Sequence, residues 1–93
     1  MTRPASLRAT MTALRDPQHG CPWDLQQDHA SLARYLREEA AETLDALAAL
    51  VPGDAEKERH LREELGDLWL QICFHAQLAS ERGAWDLHDV ERD

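Results

Sequence analysis

The chain has 93 residues, with 18 acidic against 10 basic side chains and a formal net charge of −8. That length makes one domain, near the size at which a single core becomes marginal, and 43% hydrophobic residues are enough to build that core. The acidic balance argues against a binder of nucleic acid polymers, which needs a basic face to displace counterions from phosphates. No run of about 18 apolar residues is present, so no membrane span is expected. Met1–Ser6 leads into no apolar stretch of the kind a signal peptide carries. Cys21 and Cys73 are too few for a disulfide scaffold and read as reduced thiols, which suits a cytoplasmic protein.

The predicted elements are all helical. A short first helix is expected from about Pro4 to Arg15, with Leu7, Met11 and Leu14 on one face and Pro4 in the first turn. Asp16 to Asp24 follows as an irregular loop, rich in breakers: Pro17, Gly20 and Pro22. A long second helix is expected from about Ala30 to Val51, its core stripe carrying Leu32, Leu36, Leu44, Leu47 and Val51. Pro52-Gly53 ends it, and Asp54 suits the N-cap of a third helix from about Ala55 to Glu81. Leu61, Leu65, Leu68, Ile72 and Ala79 form the stripe of that helix, and Gly83 closes it. Asp86-Leu87-His88-Asp89 opens a fourth helix that the chain end cuts short. Two long helices and a tight turn make an antiparallel hairpin, the building unit of a bundle.

Carboxylates interrupt this pattern. At 100° per residue Glu39 falls about 20° from Leu32, inside the apolar stripe, and Glu42 follows one turn later. On the third helix Glu64 lies about 40° from Leu68, with Asp67, Gln71 and His75 continuing one seam. Glu42 stands 10 residues before Pro52 and Glu64 stands 11 after Gly53, so an antiparallel hairpin brings the two acidic seams roughly level. A core-facing carboxylate needs a cation or a proton. Four converging carboxylates are all-oxygen ligands, which suit Mg²⁺ or Mn²⁺ rather than zinc. The ordinary alternative pairs Glu38, Glu39, Glu42, Glu64 and Asp67 with Arg34, Arg37, Arg59 and Arg62 in helix salt bridges. That reading accounts for Glu38 with Arg34 and for Arg59 with Glu63, and poorly for Glu39 and Glu64.

These residues resemble a known family. Glu38-Glu39-Ala40-Ala41-Glu42 matches E-E-x-x-E and Glu64-Leu65-Gly66-Asp67 matches E-x-x-D, the paired signature of the all-α nucleoside triphosphate pyrophosphohydrolases. His19-Gly20-Cys21-Pro22-Trp23-Asp24 and Phe74-His75-Ala76-Gln77 extend the likeness to the MazG branch, over nearly the whole chain. The resemblance implies hydrolysis of a (d)NTP to the monophosphate and pyrophosphate, in nucleotide-pool sanitising. It implies Mg²⁺, with Mn²⁺ as a substitute, held by Glu39, Glu42, Glu64 and Asp67. Glu38, next to these ligands, is the candidate to orient or deprotonate the attacking water. Trp23 is read either as a base-stacking ring or as a plug under its loop, and Gln71 and His75 as substrate contacts or polar positions at a helix interface.

Residues 1–93 are expected to form one MazG-like domain, short at its C-terminus: relatives continue past the segment Trp85 to Val90 with a further helix and a basic, aromatic stretch. A second reading follows from that shortness, a helical interaction or nucleotide-binding module that has lost turnover. A third, a His-Asp phosphohydrolase, rests only on His88-Asp89. A hairpin with one and a half flanking helices leaves part of its long helices bare, so pairing of two copies into a four-helix bundle is expected, with Trp69 and Leu70 as the residues to watch.

Overall fold

Asp28, Asp54 and Asp86 each start a helix by the same chemistry. A short side chain in extended backbone accepts hydrogen bonds from the first-turn amides that have no partner within the helix. Asp28 accepts from the Ser31 amide while the Ser31 hydroxyl accepts from the Asp28 amide, a reciprocal box that opens the first long helix. Asp54 accepts from the amides of Glu56 and Lys57, and Asp86 forms a second reciprocal box with Asp89.

The computed structural model describes residues 7–93, and side chains from Ala9 onward. Five helices follow in order: α1 Leu7–Leu14, α2 Pro22–Leu25, α3 His29–Ala49, α4 Ala55–Glu81 and α5 Leu87–Arg92. No strand occurs among the described residues. The expected helix start at Pro4, the side chain of Leu7 and the N-terminal segment lie outside the described residues. α3 and α4 form the antiparallel hairpin, turning at Pro52-Gly53. Gly53 has a φ of +90°, a backbone shape that favours glycine. α1 packs on α4, as does α5.

Four expectations need correction. The loop around Pro22 contains a helical turn, α2, with Pro22 in its first turn where the missing N–H costs nothing. The second long helix stops at Ala49, two residues short of Val51. Its stripe is buried only toward the N-terminal end: Leu32 is 1% exposed, whereas Leu44 is 64% and Leu47 and Val51 each 49% exposed. Thr43 and Ala46 are buried in their place. Leu70 packs against the core and is no free surface.

The core lies at one end of the hairpin. Met11, Leu32, Cys73, Phe74 and Leu78 form it, with Leu14, Tyr35, Leu70 and Leu87 packed around them. Each large side chain buried there contributes about 1.5–3 kcal/mol. Its elongation follows from the hairpin: the radius of gyration is 15.0 Å, against about 12 Å for a compact chain of this length.

Candidate metal centre

The carboxylate seam sits midway along the hairpin, where α3 and α4 face each other. Thr43, buried one turn after Glu39, ties the helices there. Its hydroxyl lies 2.9 Å from the Glu39 carbonyl and 3.4 Å from the Glu64 carbonyl across the interface. Glu39, Glu64 and Asp67 each bring a carboxylate oxygen to a point where all three lie within 4.8 Å of one another. Glu39 and Glu64 are half-buried and Asp67 is exposed, so the cluster opens to solvent on one side.

Glu39 Oε1 and Glu64 Oε2 are buried with no hydrogen-bond partner when both groups are ionised. A proton shared with Glu64 lifts the Glu39 pKa to about 7, with burial and the charges of Glu64, Glu42 and Asp67 acting in the same direction. A divalent cation would satisfy the same orphaned oxygens without the proton. The donor set is three carboxylates and no nitrogen or sulfur, the set that hard ions such as Mg²⁺ and Mn²⁺ prefer.

The other expected residues divide clearly. Glu42 is exposed on the next turn of α3 and lies outside the 4.8 Å cluster, though its charge adds to the rise at Glu39. Glu38 is exposed and makes no ion pair with Arg34. Arg34 instead donates to the Tyr35 hydroxyl at 2.7 Å and lies 4.7 Å from that ring's centre. Arg59 and Glu63 do pair, at a loose 3.8 Å. Gln71 Oε1 is buried without a partner, one turn beyond Asp67. Trp23 is 48% exposed and meets Tyr35 edge to face at 5.7 Å, so it is no buried plug. Tyr35 in turn stands one turn before Glu39, about 6 Å along the helix axis. Lys57, His60 and Arg62 form an exposed edge. Asp89 is committed to the α5 cap and to Arg92, which removes the support for a His88-Asp89 centre.

Two features escape sequence reasoning. His75 hydrogen-bonds His29, with the Nδ1 atoms 2.8 Å apart. The ring centres are 5.0 Å apart and the planes 9° from parallel, so the nitrogens lie nearly on the line between centres and the rings meet edge to edge. One Nδ1 therefore donates and the other accepts. Burial and the neighbouring His29 lower the His75 pKa. The second feature is Arg15, whose guanidinium grips Glu81 with two nitrogens, at 2.9 Å and 2.6 Å. No local periodicity signals either pair, because the partners are 46 and 66 residues apart.

An all-helical hairpin with a half-buried carboxylate centre between its long helices defines the class of protein. The family described as the MazG nucleotide pyrophosphohydrolase domain matches residues 27–93, and the chain belongs to that family. A nucleoside triphosphate pyrophosphohydrolase of Escherichia coli K12 is 46% identical over 84 residues, covering 90% of this chain and 30% of the relative. The nucleoside triphosphate pyrophosphohydrolase/pyrophosphatase MazG of Thermotoga maritima is 45% identical over 86 residues, 92% of this chain and 31% of the relative. A nucleoside triphosphate pyrophosphohydrolase of Mycobacterium tuberculosis is 50% identical over 60 residues, 64% of this chain and 17% of the relative. The chain thus spans less than a third of the length of these relatives.

Proposed function

We propose that the chain is a metal-dependent hydrolase of nucleoside triphosphates, cleaving between the α and β phosphates to release a monophosphate and pyrophosphate. The observation that carries this reading is the convergence of Glu39, Glu64 and Asp67 with two orphaned buried oxygens. The names of the relatives support the substrate class.

Glu39, Glu64 and Asp67 would hold the ion, with Glu42, exposed on the next turn of α3, as a fourth carboxylate ligand. Bound there, Mg²⁺ or Mn²⁺ supplies charge neutralisation of the triphosphate and polarisation of the α-phosphoryl group. Glu38, exposed and unpaired beside the ligands, orients the attacking water and accepts its proton. Trp23 offers its free face to the base, a sequence-tolerant contact worth about 1–3 kcal/mol. Gln71, with its carbonyl oxygen buried and unpartnered, accepts a hydrogen bond from the nucleotide. No covalent nucleophile is needed.

A second copy of the chain is the expected partner. Leu44, Leu47, Leu65 and Trp69 are exposed on the hairpin, and pairing two hairpins into a four-helix bundle removes such residues from water. No helix among the described residues is long and apolar enough to cross a membrane. The free thiols of Cys21 and Cys73 suit the reducing cytoplasm, where nucleotide-pool sanitising takes place.

A pyrophosphate-release panel over common and damaged (d)NTPs with Mg²⁺ tests activity and substrate range together. Release from at least one of them is expected. No release from any, with Mg²⁺ or Mn²⁺, contradicts the reading as an active hydrolase.

A further inference from the structure

Trp23 is carried on α2, a helix of only four residues that makes little core of its own. What holds it is mostly local. Asp16 accepts hydrogen bonds from the amides of Gln18 and His19, at 2.8 Å and 2.9 Å, and the Cys21 amide returns to the Leu14 carbonyl at 2.8 Å. Two side-chain hydrogen-bond links tie this segment to the hairpin: the Ser31 hydroxyl donates to Gln27 Oε1 at 2.8 Å on the α3 side, and Arg15 makes the link to α4. The Arg15 guanidinium donates to the Asp24 carbonyl and, at 3.4 Å, to the Gln27 carbonyl, while its other nitrogens grip Glu81 on the last turn of α4. The Arg15 side chain is only 12% exposed. A planar fork meets a carboxylate side-on and two carbonyls with donors fixed in one plane, a geometry that the compact ammonium of a lysine does not reproduce. Asp24 directly follows Trp23, and Gln27 closes the turn by donating to the Trp23 carbonyl at 2.9 Å.

We propose that Arg15 is a positioning residue for nucleotide binding: anchored on Glu81, it fixes the α2 turn and so sets the Trp23 ring in relation to the carboxylate centre. The inference rests on the reading of Trp23 as the base-stacking ring. A ring already held in place does not have to be ordered when the nucleotide arrives, so its full stacking energy goes to binding. Released from Arg15, the turn keeps its local hydrogen bonds and its contacts with Tyr35 and Ser31 on α3 but loses its attachment to α4, which widens the range of orientations open to Trp23. The hydrogen-bond partners of Arg15 are Glu81, Asp24 and Gln27 and none of the proposed metal ligands, so its effect is expected at the nucleoside end of the site.

The test is a double-mutant cycle with Arg15→Gln and Trp23→Ala in the full chain. Calorimetry measures binding of a non-hydrolysable α,β-methylene nucleoside triphosphate with Mg²⁺, and separately of Mn²⁺ alone. Arg15→Gln is expected to weaken analogue binding by about tenfold, part of what a lost stack costs, to leave Mn²⁺ affinity within about twofold, and to add nothing in the Trp23→Ala background. With hydrolysable substrate the loss appears in KM more than in kcat. Arg15→Lys does not restore binding. Glu81→Gln, which loosens the anchor and leaves Arg15 in place, gives the same pattern at smaller amplitude and serves if Arg15→Gln fails to fold. An equal loss in both Trp23 backgrounds, or a parallel fall in Mn²⁺ affinity, overturns the proposal. If Trp23→Ala alone leaves analogue affinity unchanged, the base-stacking reading fails, and the clamp is judged by amide exchange at residues 24–27. Exchange at least about tenfold faster in Arg15→Gln then sustains the fixing of the turn; unchanged exchange overturns it.

Discussion

At one end of the hairpin Leu32, Phe74 and Leu78 are buried beneath α1 and α5, and Arg15 and His29 reach across to α4. At the other end Leu44, Leu47 and Leu65 face solvent on the same two helices. The carboxylate centre lies between these ends. Both halves carry helical periodicity of similar quality, so periodicity alone does not decide burial. What differs is the presence of a third element to cover the stripe. Between the two ends Thr43 bridges the Glu39 and Glu64 carbonyls, and the bare end is where a second copy would add its own cover.

Substitutions separate the two ends by size of effect. Leu32→Ala, at the centre of the covered end, is expected to cost about 3 kcal/mol in denaturant unfolding, from lost transfer energy and the cavity left behind. Gly20→Ala comes next, at about 2 kcal/mol: a Cβ there would lie 2.3 Å from the Leu14 carbonyl oxygen and 2.5 Å from that of Asp16, both backbone atoms. Glu81→Gln should cost about 1 kcal/mol at neutral pH, because the ion pair is part-buried and still partly screened. Arg15 holds the Glu81 pKa below its ordinary 4.5. The contribution of this pair is therefore present above 4.5 and is lost as pH falls through the lower folded value. At the bare end Leu44→Ala should move the stability of the isolated chain by less than about 0.5 kcal/mol. Its effect should appear instead as weaker self-association in sedimentation. A large loss of monomer stability at Leu44 would erase the contrast between the ends.

The centre between them carries an opposite sign. Glu39 holds a proton in the folded chain up to about pH 7 and in the unfolded chain only up to 4.5. Between those values the folded state binds more protons, so metal-free stability from this group falls as pH rises. Glu39→Gln should thus stabilise the metal-free protein at pH 8 by about 1 kcal/mol after solvent screening, with the difference closing at acid pH. His75 works the other way. Its folded pKa lies below 6.5, so its contribution is complete above 6.5 and is lost as pH falls through the folded value. Melting curves of Glu39→Gln and His75→Gln across pH 4 to 8 separate the two.

Much of this was legible in the residues themselves. The turn at Pro52-Gly53, the Asp54 cap and the two acidic seams follow from local spacing, and the structure places Glu39 opposite Glu64 as the spacing requires. Helix α2 was signalled by Pro22 followed by Asp24, a first-turn pattern hidden among breakers. Glu42 lies outside the group of three converging carboxylates although its charge acts on Glu39, a distinction that a helical wheel does not draw because it assigns an angle and not the reach of a side chain. The Arg15–Glu81 and His29–His75 pairs join residues far apart in the chain, and only the packed structure brings them together.

The most direct test of the central claim is pyrophosphate release measured for the wild-type chain and for Glu39→Gln, with and without Mg²⁺. Mg²⁺-dependent release that falls by about 100-fold or more in Glu39→Gln is the predicted result, since the substitution removes the half-buried carboxylate proposed as the metal ligand on α3. Release at the wild-type rate from Glu39→Gln would contradict it.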